Sequence, residues 1–398
     1  MESVAIYLFA SLLFILVILK IRSNSSSSKL PPGPWKLPII GNLHQLAAGG
    51  PIISYDSVNI GFAPYGNYWK RMHKICVLDL LSTKRVQSFR SLREEEFSGL
   101  ARLLASHAGS PVNLTQMVHT TMLGFTSRAA FGKKSKLEKL HHEVDRLLDE
   151  IIDDHTDVNN NTSMHEDLVD VLLRVQNDGN YELTRNNIKA VILDVFAAGT
   201  DTSASTVDWT MAEMLKNPSA LEKAQEEVRR VFSEKGYGDE SIFDQLKYLR
   251  AVIEETLRLH PPAPFLLPRL SRENCKIDGY EIPEKTQVLV NVWTIGRDSR
   301  YWEDAECFKP ERFLDSSIDF NGNNFEYIPF GAGRRMCPGM SFGLANVEHP
   351  LALFLYHFDW KLPNRIKHED LDMSEVYFGV TVRRELNMHV IPIVSKPV

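Results

Sequence analysis

The sequence predicts a mainly α-helical fold with small β-sheets, preceded by one N-terminal transmembrane helix. Three observations carry this. Leu92–His107, Leu137–Asp153, Asn186–Lys216 and Ser219–Phe232 repeat apolar residues at 3.6-residue spacing. Short β-like runs appear from Asp278 onward: YEIP, TQVLVNVW, then VYFGVTVRR and MHVIPIV in the tail, with a helical run from Phe342 to Phe358 between them. Finally, Val4 to Leu19 carries no charge and only one serine, Ser11.

That apolar run makes about 24 Å of helix, and Ile21 with a snorkelling Lys20 extends it toward the hydrocarbon thickness. Glu2 stands where a secretion signal would be basic, and no small-x-small cleavage site follows. Lys20, Arg22 and Lys29 lie after the run, so the positive-inside rule keeps the rest of the chain cytosolic. On that side the sequons at Asn113, Asn160 and Asn161 go unused. Residues 1–22 are therefore read as an uncleaved anchor. Residues 23–50 follow as a Ser-rich linker (Ser23 to Ser28) running into the stiff hinge Leu30-Pro31-Pro32-Gly33-Pro34. Residues 51–398 form one domain, with no internal repeat.

The 398 residues are 43% hydrophobic and 24% charged, enough to bury a sizeable core and unlike a disordered chain. A net charge of -6 excludes a broad cationic face for nucleic acid. Cys76, Cys275, Cys307 and Cys337 make neither a disulfide scaffold nor a zinc spacing.

The chemistry concentrates in Phe330-Gly331-Ala332-Gly333-Arg334-Arg335-Met336-Cys337-Pro338-Gly339. The two glycines allow a sharp turn and close approach to a flat ligand. Arg335 is placed for a fork-like bond to a carboxylate, and Cys337 stands near the start of the following helix, where the dipole favours thiolate. Such a sulfur suits an iron ligand that pushes electron density toward bound oxygen. Ala198-Gly199-Thr200-Asp201-Thr202-Ser203 interrupts a long apolar helix pattern and invites a local break, with Asp201 and Thr202 able to relay protons. A packing glycine is the plainer alternative. Glu255 and Arg258 lie three apart on one helical face, and Pro310-Glu311-Arg312-Phe313 supplies a second arginine that would close a buried, charge-balanced triad.

Together these motifs make the chain resemble the cytochrome P-450 superfamily, specifically its plant microsomal type. The resemblance runs from the anchor to the tail and implies that superfamily's fold. It implies haem b as cofactor, with Cys337 as axial ligand inside the motif that includes Phe330, Gly333 and Gly339. It further implies Trp69, Arg269 and Arg335 as propionate partners, and Glu255, Arg258 and Arg312 as the structural triad. Asp201 and Thr202 become the acid–alcohol pair. Substrate contacts fall at Val195, Ala198, Pro264 and Phe265, and at the turn Phe378-Gly379-Val380.

Three departures stand out. His73 occupies the place of an arginine that would grip a propionate, which weakens haem retention. The chain is about a hundred residues shorter than a full microsomal member. The breaks fall near 50/51, where the text jumps from Gly50-Pro51 to Tyr55-Asp56-Ser57, and near 136/137. His349 replaces an apolar residue before Pro350.

The resemblance implies a monooxygenase on the endoplasmic reticulum membrane, its domain cytosolic. It would insert one oxygen atom from O2 into an apolar terpenoid, alkaloid or related metabolite. No GxGxxG fingerprint is present, so electrons come from an NADPH–cytochrome reductase partner. Lys70, Arg71, Lys74 and Arg334 are candidates for a basic docking patch. The alternatives are a truncated non-catalytic paralogue or splice form, and a reductase-independent haem-thiolate isomerase or dehydratase.

Overall fold

The computed structural model describes residues 58–132, 141–156, 166–179, 183–235, 240–378 and 380–398. The predicted anchor, the linker and both predicted breaks lie outside them, and among the described residues no helix is long and apolar enough to cross a membrane. These residues belong to two compact units, residues 268–289 and the remainder.

In the larger unit, α1 (Asn67–Ile75) turns Trp69, Met72 and Ile75 inward at i, i+3, i+6. It continues into a π-helical turn, Cys76–Leu80. The short α2 (Thr83–Ser88) starts where the Ser82 hydroxyl accepts from Arg85 N–H. Next come α3 (Arg90–Ser106) and α4 (Leu114–Phe131), the latter capped by Asn113 and stopped by Gly132 at φ 67°. α5 (His141–Thr156) and α6 (Leu168–Asn177) are latched together: His155 Nε2 donates to Asp167 Oδ2 at 2.8 Å, while Asp167 and Asp170 form the capping box of α6. Among the described residues this is the one trio of metal-ligand type, and both ring nitrogens are engaged, Nδ1 with the Ile151 carbonyl at 2.6 Å.

The long α7 (Arg185–Lys216) opens on a Thr184–Asn187 capping box and threads the centre. α8 (Pro218–Lys235), α9 (Lys247–Leu259), the short α10 (Val292–Ile295) and α11 (Met340–His357) complete the α-helices among the described residues. One hydrophobic cluster joins Phe97, Leu100, Val207, Met211, Val252, Leu351, Phe354 and Val390. A second joins Met72, Ile75, Phe125, Ile151, Leu172, Phe196 and Phe342. Each fully buried side chain of this kind contributes about 1.5–3 kcal/mol.

The sheets are small and antiparallel. β1 (Val112–Asn113) and β6 (Phe358–Lys361) flank β9 (His389–Val394), with Val112 opposite Val390 and Trp360 opposite Pro392. β7 (Glu375–Phe378) and β8 (Thr381–Arg384) form the tail hairpin. The smaller unit holds β2 (Arg269–Leu270) paired with β5 (Gln287–Val288), and β3 (Cys275–Ile277) paired with β4 (Tyr280–Ile282).

The helix-dominated reading with small sheets therefore describes the chain, with helix starts moved by a few residues. Two expectations need correcting. TQVLVNVW pairs only at Gln287 and Val288, and its end is helical from Val292, where the Asn291 side chain caps the turn. The expected break at Ala198–Ser203 is absent, because α7 runs through without interruption. Its hydroxyls fold back along the helix instead: Thr200 donates to Phe196 O at 2.7 Å, Thr202 to Ala198 O at 2.6 Å and Thr206 to Thr202 O at 2.8 Å.

Candidate functional site

The cysteine loop is shaped by its glycines. Gly331 (φ 75°) and Gly333 (φ 68°) occupy the left-handed region, where a side chain would be strained. The loop closes when Cys337 N–H donates to Phe330 O at 3.0 Å, and Phe330 packs edge-on against Phe320 at 5.5 Å. Gly339 precedes α11, and its backbone N–H supports the Cys337 sulfur. The thiol was expected to lean toward thiolate at this helix start. Burial dominates instead and pushes it up, the Gly339 N–H opposing only in part. Cys337 is nevertheless exposed. The loop thus leaves Cys337 accessible while protein still crowds its sulfur.

Behind the loop, Glu255, Arg258 and Arg312 come together as predicted. Arg258 grips Glu255 with two bonds of 2.7 Å and sends its remaining donors to the carbonyls of Gly296 (2.5 Å), Ala305 (2.6 Å) and Cys307 (3.1 Å). All five guanidinium donors are thereby used. Glu255 also accepts from Lys309 N–H at 2.8 Å and Arg312 Nε at 3.2 Å. Glu255 is 0% and Arg258 1% exposed. Sequence reading missed Gly296: a Cβ there would collide with the Arg258 carbonyl, a close approach that no motif announces.

The middle of α7 lies against the start of α11. A Cβ on Gly199 would meet Phe342 at 3.3 Å, so this is a packing glycine, and Gly343 faces the Ser203 hydroxyl. Ala198 is exposed, in contrast to the buried run that begins at Ser203, while Val195, Asp201 and Thr202 are half-buried. Asp201 and Thr202 do not bond each other. Thr202 serves Ala198 O, whereas Asp201 Oδ2 accepts from the Thr381 hydroxyl at 2.6 Å. Pro264 is buried; Phe265 is 36% and Val380 45% exposed, and Phe265 stacks with Tyr377 at 6.2 Å. Phe378 ends β7, and Gly379 lies outside the described residues.

At the other rim the expected carboxylate donors are engaged by the chain itself. Trp69 Nε1 donates to Ile60 O at 3.1 Å, and Arg335 donates to Ala63 O at 2.6 Å and Gly61 O at 3.4 Å while lying 4.7 Å over the Trp69 ring. The same loop is strapped to α7, because Asp194 accepts from Asn59 Nδ2 (2.8 Å), Ile60 N–H (2.7 Å) and Gly61 N–H (3.3 Å). His73 stacks on Trp69 at 4.7 Å, and burial, then Arg335, pushes its pKa down, so it offers no cation here. Arg269 sits half-buried on β2 in the smaller unit, its guanidinium lowered by burial. Exposed Lys70, Arg71, Lys74 and Arg334 share one region; Lys70 and Arg334 both lie over Tyr65, at 5.2 and 5.3 Å.

These residues fit an iron porphyrin at the sulfur end, where an accessible Cys337 and the glycine turn stand ready. At the rim, Trp69 and Arg335 carry the right chemistry for its carboxylates but are held by the 59–63 strap. Asp194, Asn59 and Thr381 were missed in the sequence, since no spacing connects them to the motifs.

A family model for cytochrome P450 matches residues 134–389. Premnaspirodiene oxygenase of Hyoscyamus muticus is 41% identical, covering 99% of this chain and 98% of that protein. Tabersonine 16-hydroxylase 2 of Catharanthus roseus is 42% identical over 96% of each. The first alignment spans 495 positions, longer than the 398-residue chain, so parts of that relative have no counterpart here. Among solved structures, a zebrafish cytochrome P450 with abiraterone superposes with a TM-score of 0.75 at 25% identity, covering 86% of both chains. With this fold and a match of that extent, the chain belongs to the cytochrome P450 family, whose members are haem-dependent monooxygenases.

Proposed function

We propose that this chain is an oxygenase of plant specialised metabolism, anchored in the endoplasmic reticulum membrane by residues 1–22 and supplied with electrons by an NADPH–cytochrome reductase. The observation that carries this reading is the cysteine loop: Cys337 is accessible at the end of a turn that requires Gly331 and Gly333. Cys337 would hold haem iron, with Arg335 and Trp69 serving its carboxylates once released from their present partners. Haem would supply dioxygen activation.

The chain's own residues then have defined tasks. Asp201 and Thr202, beside the start of α11, would pass protons from the α7 side. Val195, Ala198, Pro264, Phe265, Phe378 and Val380 would line an apolar pocket and keep water out. Turnover consumes one O2, two electrons and two protons; one oxygen enters the substrate and the other leaves as water. A terpenoid or alkaloid substrate is supported by relatives named for premnaspirodiene and tabersonine. The basic group around Tyr65 offers an acidic reductase a complementary face.

The test is the reduced carbon-monoxide difference spectrum of the full chain in detergent. A thiolate-type Soret band that vanishes in Cys337→Ser is the expected outcome; a band unchanged by that substitution refutes the assignment. One observation favours a second reading, a non-catalytic paralogue: the strap holds both rim donors. That reading expects no haem uptake even with haemin in excess.

A further inference from the structure

Thr381 opens β8 and is 8% exposed, its hydroxyl donating to Asp201 Oδ2 at 2.6 Å across 180 residues of sequence. The strand does not need this bond to stay in place. Val382 N–H donates to Pro262 O at 2.9 Å, β8 pairs with β7 from Phe378↔Thr381 to Glu375↔Arg384, and Glu375 is fastened to His260 at 3.1 Å. His260 in turn meets Glu213 of α7 at 2.7 Å. A hydroxyl of the strand and a carboxylate of the helix are thus brought together. Thr202, next to Asp201, cannot orient it, because its own hydroxyl is committed to Ala198 O. The titratable group facing Asp201 from α4 is His119, which also feels Arg383 of β8 and is pushed down chiefly by burial.

We infer that Thr381 is a positioning residue for proton delivery, fixing the rotamer of Asp201 so that Oδ2 is occupied and protons leave from Oδ1. The inference rests on the reading of Asp201 as proton donor. Thr381 directly follows Val380 of the proposed pocket turn, so a substrate seated on that turn bears on the orientation of the donor.

The experiment compares wild type, Thr381→Val, Thr381→Ser and Asp201→Asn in the full chain. Infrared difference spectra against Asp201→Asn isolate the Asp201 carboxylate stretch, with or without haem. Thr381→Val shifts this band and Thr381→Ser restores it; an unshifted band overturns the inference. With 7-ethoxycoumarin as probe substrate and a plant NADPH–cytochrome P450 reductase, Thr381→Val lowers NADPH-driven dealkylation about tenfold, the worth of one hydrogen bond to a charged group. It also raises the hydrogen peroxide released per NADPH. Dealkylation driven by cumene hydroperoxide, which brings its oxygen already reduced, falls far less. Equal losses with both oxidants mean a structural role and overturn the inference. If Asp201→Asn itself leaves NADPH-driven turnover intact, the underlying reading of Asp201 fails instead.

Discussion

The triad behind the cysteine loop and the strap at the rim are built from the same parts: a carboxylate, a guanidinium and backbone carbonyls. They differ in who supplies the partners. Arg258 draws its carbonyls from Gly296, Ala305 and Cys307, on segments locked against α9, and spends every donor there. Arg335 and Trp69 donate to Ile60, Gly61 and Ala63, in a loop whose Ile60 and Gly61 N–H groups hang from one carboxylate, Asp194. Saturation by packed interior is permanent structure. Partners supplied by a loop can be exchanged for another acceptor, such as the carboxylate of a cofactor.

The strongest way to break that comparison is Glu255→Ala. Removing one partner strands the buried Arg258 charge and the half-buried Arg312, so the chain should lose about 3–5 kcal/mol in urea unfolding. A loss below about 1 kcal/mol would place the triad on a level with a surface pair.

Asp194→Ala sharpens the other side. Three hydrogen bonds to the strap disappear, so amide exchange at Ile60 and Gly61 should accelerate. Haemin should bind about five- to tenfold more tightly as Trp69 and Arg335 become available. Weaker haemin binding would make the strap a wall of the site rather than a competitor.

The smallest expected effect concerns a latch between these extremes, His155 with Asp167. Its hydrogen bond to Asp167 pushes the His155 pKa up to about 9, against an ordinary 6.5. A folded value above the unfolded one stabilises fully below about pH 6.5, and the benefit disappears as pH rises through 9. The wild-type advantage over His155→Gln in urea should therefore shrink between about pH 6 and pH 10. An advantage independent of pH would show that the latch works without its charge.

Much of this was legible in the residues. The helices α3, α7 and α8 follow from 3.6-residue periodicity, and the cysteine loop from glycines that must adopt positive φ. The Glu255–Arg258–Arg312 contact was legible because two of its members share a helix face. The α7 break was misread because hydroxyl residues can satisfy themselves on the preceding turn, so Thr200 and Thr202 need no irregular backbone. TQVLVNVW was misread because β-branched propensity yields to a capping Asn291.

The sequence by itself determined that α3, α7 and α8 are helical, where the cysteine turn lies and which acid and base face each other on α9. These are local properties, set by periodicity, backbone freedom and spacing along one helix. Only the tertiary structure decided that Asp194 holds a strap, that Arg335 and Trp69 are satisfied by it, and that Asp201 is bound to Thr381. The physical reason is that a polar group removed from water takes whichever partner the packing brings within about 3 Å, and no fixed interval in the chain encodes that partner.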